Sequence, residues 1–341
     1  MERVNENGFT SRELEVTRHN MAYLTPYLDA DDVFEIRINK FGQVVCDTVN
    51  GRRIEDDPNL TETYLKGLCE HLLSLNRLPW KPINYLVLPD GSRGTFCWNP
   101  AVVGGTVLIA IRKHLQINKS LRTLAQEGRF SRVQIRKFSD HFELRPWENE
   151  LLQLLDRGDI DEFLEKAVLN KLNIAVAGAT GSGKTLLTRS LLSAVPAYER
   201  VILLEDSHEV TNHHLLEVGY MLYGSDGGRV SASECLKACM RLTPDRVFLT
   251  ELRDDAAWEY LTSANTGNPG GIFSTHADSA LETFDRVADL VKSSPTGQGL
   301  DYGLIMRKVR SAVDCVVYME KRDVVEILYD PLAKRKALYA A

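Results

Sequence analysis

Short apolar runs separated by turn residues dominate the first part of the chain, and this pattern predicts β-strands. The expected strands cover residues 33–39, 43–48, 84–88, 94–98 and 106–112. One amphipathic helix is expected at residues 60–75, where leucines recur at helical spacing. The mixture predicts a small α+β domain with an antiparallel sheet.

From residue 148 the pattern changes to strands that alternate with helices. Helices are expected at 148–156, 160–170 and 186–192, and apolar runs at 173–177, 200–204, 246–249, 271–274, 313–318 and 324–329. Such alternation predicts an α/β domain whose mostly parallel sheet is covered on both faces. The predicted organisation is an N-terminal domain over 1–112, a basic linker over 113–147 and the α/β domain over 148–341.

Composition and charge narrow the function classes. The 341 residues are 44% hydrophobic, which suits two ordinary folded domains. No apolar stretch approaches the roughly 18 to 20 residues of a membrane-spanning helix, and the N-terminus lacks an apolar leader, so a cytoplasmic location is expected. The net charge of −6 is the sum of +2 over residues 1–147 and −8 over residues 148–341. An acidic second domain argues against a nucleic-acid track there.

A complete phosphate-binding loop follows the apolar run at 173–177. It consists of Gly178, Ala179, Thr180, Gly181, Ser182, Gly183, Lys184 and Thr185. Glycines allow the backbone amides to approach phosphate oxygens, and the lysine adds a cation at the β- and γ-phosphates. The Thr185 hydroxyl is placed to bind Mg²⁺. The sequence therefore predicts a site for ATP and Mg²⁺.

Three later segments place acidic side chains or a histidine at the ends of predicted strands. Glu205 and Asp206 end one apolar run and are predicted to help Thr185 to hold Mg²⁺, because clustered carboxylates attract a metal ion. Glu251 follows the run at 246–249. It is predicted to position a water molecule that attacks the γ-phosphate of ATP, with Glu209 as the second candidate. His276 follows the run at 271–274 and is expected to sense the γ-phosphate or bridge it to a neighbour.

Together these segments resemble the secretion-ATPase superfamily. Its phosphate loop, acidic box, Walker B strand and histidine box correspond to residues 178–185, 205–209, 247–251 and 270–276. The resemblance implies a RecA-like fold, ATP hydrolysis and a homo-hexameric motor. Residues 264–271 look like the traffic ATPase of type IV secretion and conjugation systems, whereas the four-cysteine zinc insertion of type II members is missing.

The type IV branch also carries two arginines before its linker, which Arg93 and Arg112 match. The resemblance implies that both act at the triphosphate, and that the N-terminal domain rotates about the linker. It implies other cytoplasmic and inner-membrane components as partners, on the cytoplasmic face of the inner membrane. The basic linker could also meet an anionic membrane surface. Two positions depart from the usual pattern: Thr250 replaces a glycine, and Asn268 replaces a histidine.

Other functions fit parts of the same sequence. A pilus assembly or retraction ATPase shares all four segments. A small-molecule kinase shares the phosphate loop but gives no reason for the histidine box. A DNA-dependent motor would need a basic surface along which DNA can bind. A scaffold that does not hydrolyse ATP would have no need for the acidic residues at the strand ends. Stable, specific nucleic-acid binding is not expected. The cargo, whether DNA, protein or a growing pilus, stays open.

Overall fold

The computed structural model describes residues 9–114, 119–135, 142–224, 229–265 and 267–339. The helices are α1 (Ser11–Asn20), α2 (Thr25–Asp29), α3 (Glu62–Leu75), α4 (Leu121–Gln126), α5 (Pro146–Arg157), α6 (Ile160–Leu169), α7 (Lys184–Ser193), α8 (Ala232–Leu242), α9 (Asp254–Asn265), α10 (Glu282–Ser293), α11 (Tyr302–Ala312) and α12 (Pro331–Tyr339). The strands are β1 (Val33–Ile38), β2 (Gln43–Thr48), β3 (Gly51–Asp56), β4 (Ile83–Val87), β5 (Arg93–Cys97), β6 (Leu108–Arg112), β7 (Ile174–Gly178), β8 (Arg200–Glu205), β9 (Glu217–Leu222), β10 (Arg246–Leu249), β11 (Ile272–Thr275), β12 (Cys315–Glu320) and β13 (Asp323–Tyr329).

The first six strands form an antiparallel sheet in the order β3-β2-β1-β6-β5-β4. Helix α3 packs its leucines into the core beneath this sheet. It begins after Thr61, whose side chain accepts the Tyr64 N–H, two residues later than expected. Strand β3 was not predicted, because its sequence is polar and its side chains are largely exposed at the sheet edge.

The remaining strands form a seven-stranded sheet in the order β13-β12-β7-β11-β10-β8-β9. All neighbouring pairs are parallel except β12 with β13, which is antiparallel. The predicted fold class is therefore confirmed. Strand β9 was not expected, because Gly219 interrupts its apolar pattern. A Cβ at Gly219 would lie 2.8 Å from Leu108 Cδ2, so the glycine admits a leucine from the antiparallel sheet.

The two sheets meet in a shared apolar core. Leu108 and Ala110 of β6 lie in the same buried cluster as Ile202 and Leu204 of β8. Main-chain pairing adds to this contact, since the Leu222 N–H donates to the Ala101 carbonyl at 2.9 Å. Rotation of the first sheet within one chain would expose this apolar surface to water. The rotation about residues 113–147 stays a prediction, and in this conformation it would require part of the shared core to open.

Part of the predicted linker is helical. Helix α4 begins after Ser120, whose side chain accepts the Thr123 N–H, and none of its side chains is buried. The division of the chain at residues 112 and 147 stays a prediction. Within the described ranges no helix is long and apolar enough to cross a bilayer. Residues 226–228, expected to form an exposed turn, and Thr266 lie outside those ranges.

Candidate active site

The phosphate-loop backbone takes a shape that requires glycine. Strand β7 is buried along its whole length and ends at Gly178, which has φ 145°. A Cβ at Gly178 would lie only 2.3 Å from the Met319 carbonyl oxygen. Gly183, with φ 96°, forms the N-terminal cap of α7 in the left-handed region. The loop thus reaches the N-terminus of a ten-residue helix, where free amides and the helix dipole favour an anion.

Lys184 lies against this loop. Its Nζ donates to the carbonyl oxygens of Gly178 and Ala179 at 2.7 and 2.8 Å, and lies 3.5 Å from His276 Nδ1. Burial lowers the pKa of Lys184, and the nearby carboxylate of Glu251 partly opposes that effect. The ammonium group is therefore held at the mouth of the loop, next to the histidine box.

A cleft of about 550 Å³ opens beside the loop. Its lining comes from all four segments singled out in the sequence: Thr180, Gly181, Gly183, Lys184, Thr185, Asp206, Ser207, Glu209, Thr250, Glu251, Ser274 and His276. The segments meet because β7, β8, β10 and β11 are parallel and their carboxyl ends share one edge of the sheet. Ser182, within the loop, has a buried hydroxyl with no hydrogen-bond partner among the residues that the structure describes.

Glu251 occupies the centre of a charged network in this cleft. Its Oε1 lies 3.5 Å from His276 Nε2, and its Oε2 accepts a hydrogen bond from Arg253 Nη2 at 2.9 Å. The same Nη2 donates to Asp206 Oδ2 at 2.9 Å. Arg253 therefore joins two carboxylates that would otherwise repel each other. Sequence reasoning missed this residue, which stands two positions after Glu251 and just outside the Walker B segment at 247–251.

The prediction that Glu205 binds Mg²⁺ is not supported by the geometry. Its side chain is fully buried and does not line the cleft. Oε1 accepts the N–H groups of Glu209 and Val210 at 3.0 and 2.8 Å, and Oε2 lies 2.9 Å from His208 Nδ1. The carboxylate shapes the turn after β8 instead. Asp206, the first residue after β8, does line the cleft.

Arg93 and Arg112 do not line the cleft of their own chain. They lie opposite each other at the ends of β5 and β6. Arg112 Nε is 3.4 Å from Glu35 Oε2, and Glu35 also accepts a hydrogen bond from Thr243, just before β10 begins. That is the amino end of the parallel strands, whereas the loop lies at their carboxyl ends. Within one chain, the expected contact with the triphosphate is therefore not made.

The residues of the cleft fit Mg²⁺ and a nucleotide triphosphate. Hydroxyl and carboxylate oxygens are the ligands that Mg²⁺ prefers, and Thr185 and Asp206 supply one of each. A Cβ at Gly181, which has φ 77°, would lie in open space, so this part of the loop is accessible to a ligand. A magnesium ion bound to phosphates needs few protein ligands, so this small oxygen set is sufficient.

Comparison with known proteins places the chain in a family. The model of the family "Type II/IV secretion system protein" matches residues 114–320. The type IV secretion system protein VirB11 of Brucella suis is 33% identical over 327 residues, which cover 92% of this chain and 90% of that protein. VirB11 of Bartonella quintana is 34% identical over 329 residues, which cover 92% of each chain.

A solved structure agrees with these relatives. The crystal structure of the VirB11 ATPase from the Brucella suis type IV secretion system, in complex with sulphate, matches with a TM-score of 0.89. It is 30% identical, and the match covers 96% of this chain and 98% of that one. The agreement extends over both sheets. The chain belongs to the type II/IV secretion system protein family, and within it to the type IV secretion ATPases.

Proposed function

We propose that this chain hydrolyses ATP to ADP and phosphate in the cleft described above. The observation that carries the proposal is the meeting of four segments, distant in sequence, at one edge of the parallel sheet. The hydrolysis would power substrate transport or pilus assembly by a type IV secretion system. The family membership supports this role.

The loop and its lysine bind the phosphates in this proposal. Amides at the start of α7 face the β-phosphate, and Lys184 moves from its contact with Gly178 and Ala179 to the β- and γ-oxygens. Thr185 and Asp206 hold Mg²⁺. The bound ion would neutralise charge that develops on the phosphate oxygens. Both residues already line the cleft.

Glu251 positions the water that attacks the γ-phosphate. A carboxylate at this point can accept a proton or orient the water in line with the leaving group. His276 lies between Glu251 and Lys184 and can register the presence of the γ-phosphate through either contact. Glu209, which also lines the cleft, remains the second candidate for the water. Arg253 donates hydrogen bonds to both Glu251 and Asp206 and so keeps the two side chains close together.

The working form is a ring of six copies on the cytoplasmic face of the inner membrane, in contact with other components of the secretion machine. Arg93 and Arg112 are far from the cleft of their own chain, so we assign them to the cleft of a neighbouring copy in the ring. The basic residues of the linker can face anionic lipid. Static light scattering with and without an ATP analogue and Mg²⁺ tests whether the ring forms. A protein that stays monomeric at micromolar concentration under both conditions would contradict it.

Phosphate release from ATP by the purified protein tests the catalytic proposal. Lys184→Ala should abolish turnover, because the loop loses its cation at the phosphates. Glu251→Gln should retain nucleotide binding and lower hydrolysis by about 10²-fold or more. Lys237→Ala, at an exposed position on α8, serves as the matched control and should hydrolyse ATP normally. Normal turnover by a folded Lys184→Ala variant would rule out this cleft as the active site.

A further inference from the structure

Tyr223 connects strand β9 to the cleft. It follows β9 directly, and its side chain is only 3% exposed. Its hydroxyl donates to the main-chain carbonyl oxygen of Glu251 at 3.2 Å. A phenylalanine would fill the same space in the core, so packing alone does not require the hydroxyl. The hydrogen bond therefore provides a separate reason for tyrosine at this position.

The main chain around Glu251 lies just beyond the end of β10, where single main-chain hydrogen bonds to β8 and β11 hold it. The Thr250 N–H donates to the Leu204 carbonyl at 3.0 Å, and the Leu252 N–H donates to the Ser274 carbonyl at 2.8 Å. The carbonyl of Glu251, between these two contacts, receives the Tyr223 hydroxyl. The hydroxyl thus adds a side-chain contact to the Glu251–Leu252 peptide, whose N–H already bonds to Ser274. A displacement of this peptide would move the Cα of Glu251, and with it the side chain, relative to His276.

Tyr223 is itself held from two sides. Its N–H donates to the Glu205 carbonyl at 3.0 Å, which ties it to the end of β8. The preceding residues Met221 and Leu222 pair with Val102 and Ala101 of the N-terminal part. The phenol thus extends from a firmly paired strand end toward the cleft. A shift of the N-terminal part would move this strand end and, through it, the Glu251 peptide.

The hydroxyl remains a donor throughout the working pH range. Burial raises the pKa of Tyr223 well above its ordinary value, and the nearby carboxylate of Asp206 adds to that effect. The phenol is therefore protonated whenever the cleft can bind nucleotide.

We propose that Tyr223 is a positioning residue for ATP hydrolysis, which holds Glu251 in place through its main-chain carbonyl. The inference rests on the proposed function of the cleft. It adds a second level of control, because the pairing of β9 with residues 101–103 links the N-terminal part to the water-positioning carboxylate. Tyr223 does not line the cleft, so its effect is on the geometry of Glu251.

The test is Tyr223→Phe, which removes one oxygen and leaves the ring. We expect kcat for ATP to fall about 10-fold while KM stays within about 2-fold, because a misplaced catalytic group slows chemistry more than binding. Tyr220→Phe is the matched control on the same strand. Its hydroxyl accepts the Asn212 N–H at 3.1 Å, so that variant also loses a main-chain hydrogen bond, but one away from Glu251. Its kcat should remain within about 2-fold of the wild-type value.

A double-mutant cycle separates positioning from general loosening of the fold. In the Glu251→Gln background, Tyr223→Phe should change the single-turnover rate by less than about 2-fold, since the group it positions is already disabled. An equal 10-fold loss in both backgrounds would overturn the proposal, as would a wild-type kcat in Tyr223→Phe alone. Thermal unfolding of each variant verifies that the compared proteins are folded.

The outcomes also distinguish this inference from the proposed function. If Lys184→Ala retains turnover, the cleft is not the site of hydrolysis, whatever Tyr223 does. If Lys184→Ala is inactive and Tyr223→Phe is normal, only the positioning role fails.

Discussion

Arg37 and Glu217 form a two-point ion pair where the two sheets meet. Arg37 Nε lies 2.6 Å from Glu217 Oε1, and Nη2 lies 3.1 Å from Oε2. On its other side, Arg37 binds both oxygens of Asp47 at 2.5 and 2.7 Å. The arginine side chain is completely buried. A cation in such a place is tolerated only because carboxylates surround it.

Replacing Arg37 should therefore lower the stability of the fold. Arg37→Met leaves Glu217 buried with one of its cations gone, and the free energy of unfolding should fall by about 3–5 kcal/mol. Urea denaturation followed by circular dichroism measures the change. Arg53→Met removes an arginine whose ion pairs with Glu55 and Asp32 are largely exposed, and it should leave the urea midpoint nearly unchanged. Equal midpoints for the two variants would contradict a structural role for the buried pair.

The same cluster makes stability depend on pH. Burial favours the protonated form of Asp47, but hydrogen bonds and charge from Arg37 and Arg52 outweigh it and lower the pKa of that carboxyl. For Glu217, burial is likewise outweighed, by Arg200 and Arg37, and the pKa is lowered. A pKa depressed by folding stabilises the protein above the unfolded value, about 4, and this stabilisation is lost as the pH falls through the folded value.

The pH dependence can be measured by comparing Asp47→Asn with the wild type. The variant should be less stable at pH 7, and the difference should shrink as the pH falls below about 4, because the wild-type carboxyl then takes up a proton first in the unfolded state and, at its lower folded pKa, in the native state. Urea midpoints at pH 7, 5, 4 and 3 provide the comparison. A difference that stays constant over this range would show that Asp47 acts through its shape and not its charge.

Much of the cleft could be predicted from the sequence because its chemistry is tied to strand ends. The glycines and lysine of the loop, Glu251 and His276 each follow an apolar run, and parallel strands bring their carboxyl ends together. What the sequence could not decide is which of two neighbouring acidic residues faces the cleft. Glu205 is the last residue of the fully buried strand β8, whereas Asp206 is the first residue of the bend that follows, and only the folded structure shows where the strand ends.

The N-terminal part shows a different limit of sequence reasoning. Its five apolar strands were recognisable, but the pairing of residues 101–103 with β9 depends on contacts between segments more than 100 residues apart. Gly219 looks like an interruption in the sequence and is in fact the point where Leu108 approaches. The docking of one sheet on the other, and with it the position of the two arginines, could therefore not be inferred from local patterns.

The corrected assignment of the acidic pair leads to a separate prediction. Asp206→Asn should raise the Mg²⁺ concentration needed for half-maximal ATP hydrolysis by about tenfold, because the oxygen set loses its charge. Glu205→Gln should leave the Mg²⁺ requirement unchanged and instead lower the melting temperature, since its carboxylate accepts the Glu209 and Val210 amides. Magnesium titrations of turnover and thermal melts of both variants measure this. A shifted Mg²⁺ requirement in Glu205→Gln would return that residue to the metal site.

The last prediction concerns Arg93 and Arg112. They stand directly opposite each other at the ends of β5 and β6, and both side chains are exposed. Like charges in this arrangement repel each other unless an anion joins them. Glu35 supplies one contact to Arg112, at 3.4 Å. The pair is well suited to phosphate oxygens from outside the chain, since guanidinium groups bind them in a bidentate manner. In a ring, the γ-phosphate in a neighbour's cleft would be such an anion.

Arg93→Ala and Arg112→Ala should each lower turnover and weaken the binding of an ATP analogue more than that of ADP, as measured by calorimetry. Arg18→Ala, at an exposed position in α1, is the control and should behave as wild type.

Mixing two impaired variants distinguishes action of the arginines in the neighbour's cleft from action in the same chain. The Lys184→Ala protein has a disabled cleft but intact arginines, and the Arg112→Ala protein has the reverse. Mixed rings should therefore regain turnover above the sum of the two separate proteins. A mixture that gives only that sum would contradict arginines shared between copies, and normal turnover in both arginine variants would remove the N-terminal part from catalysis altogether.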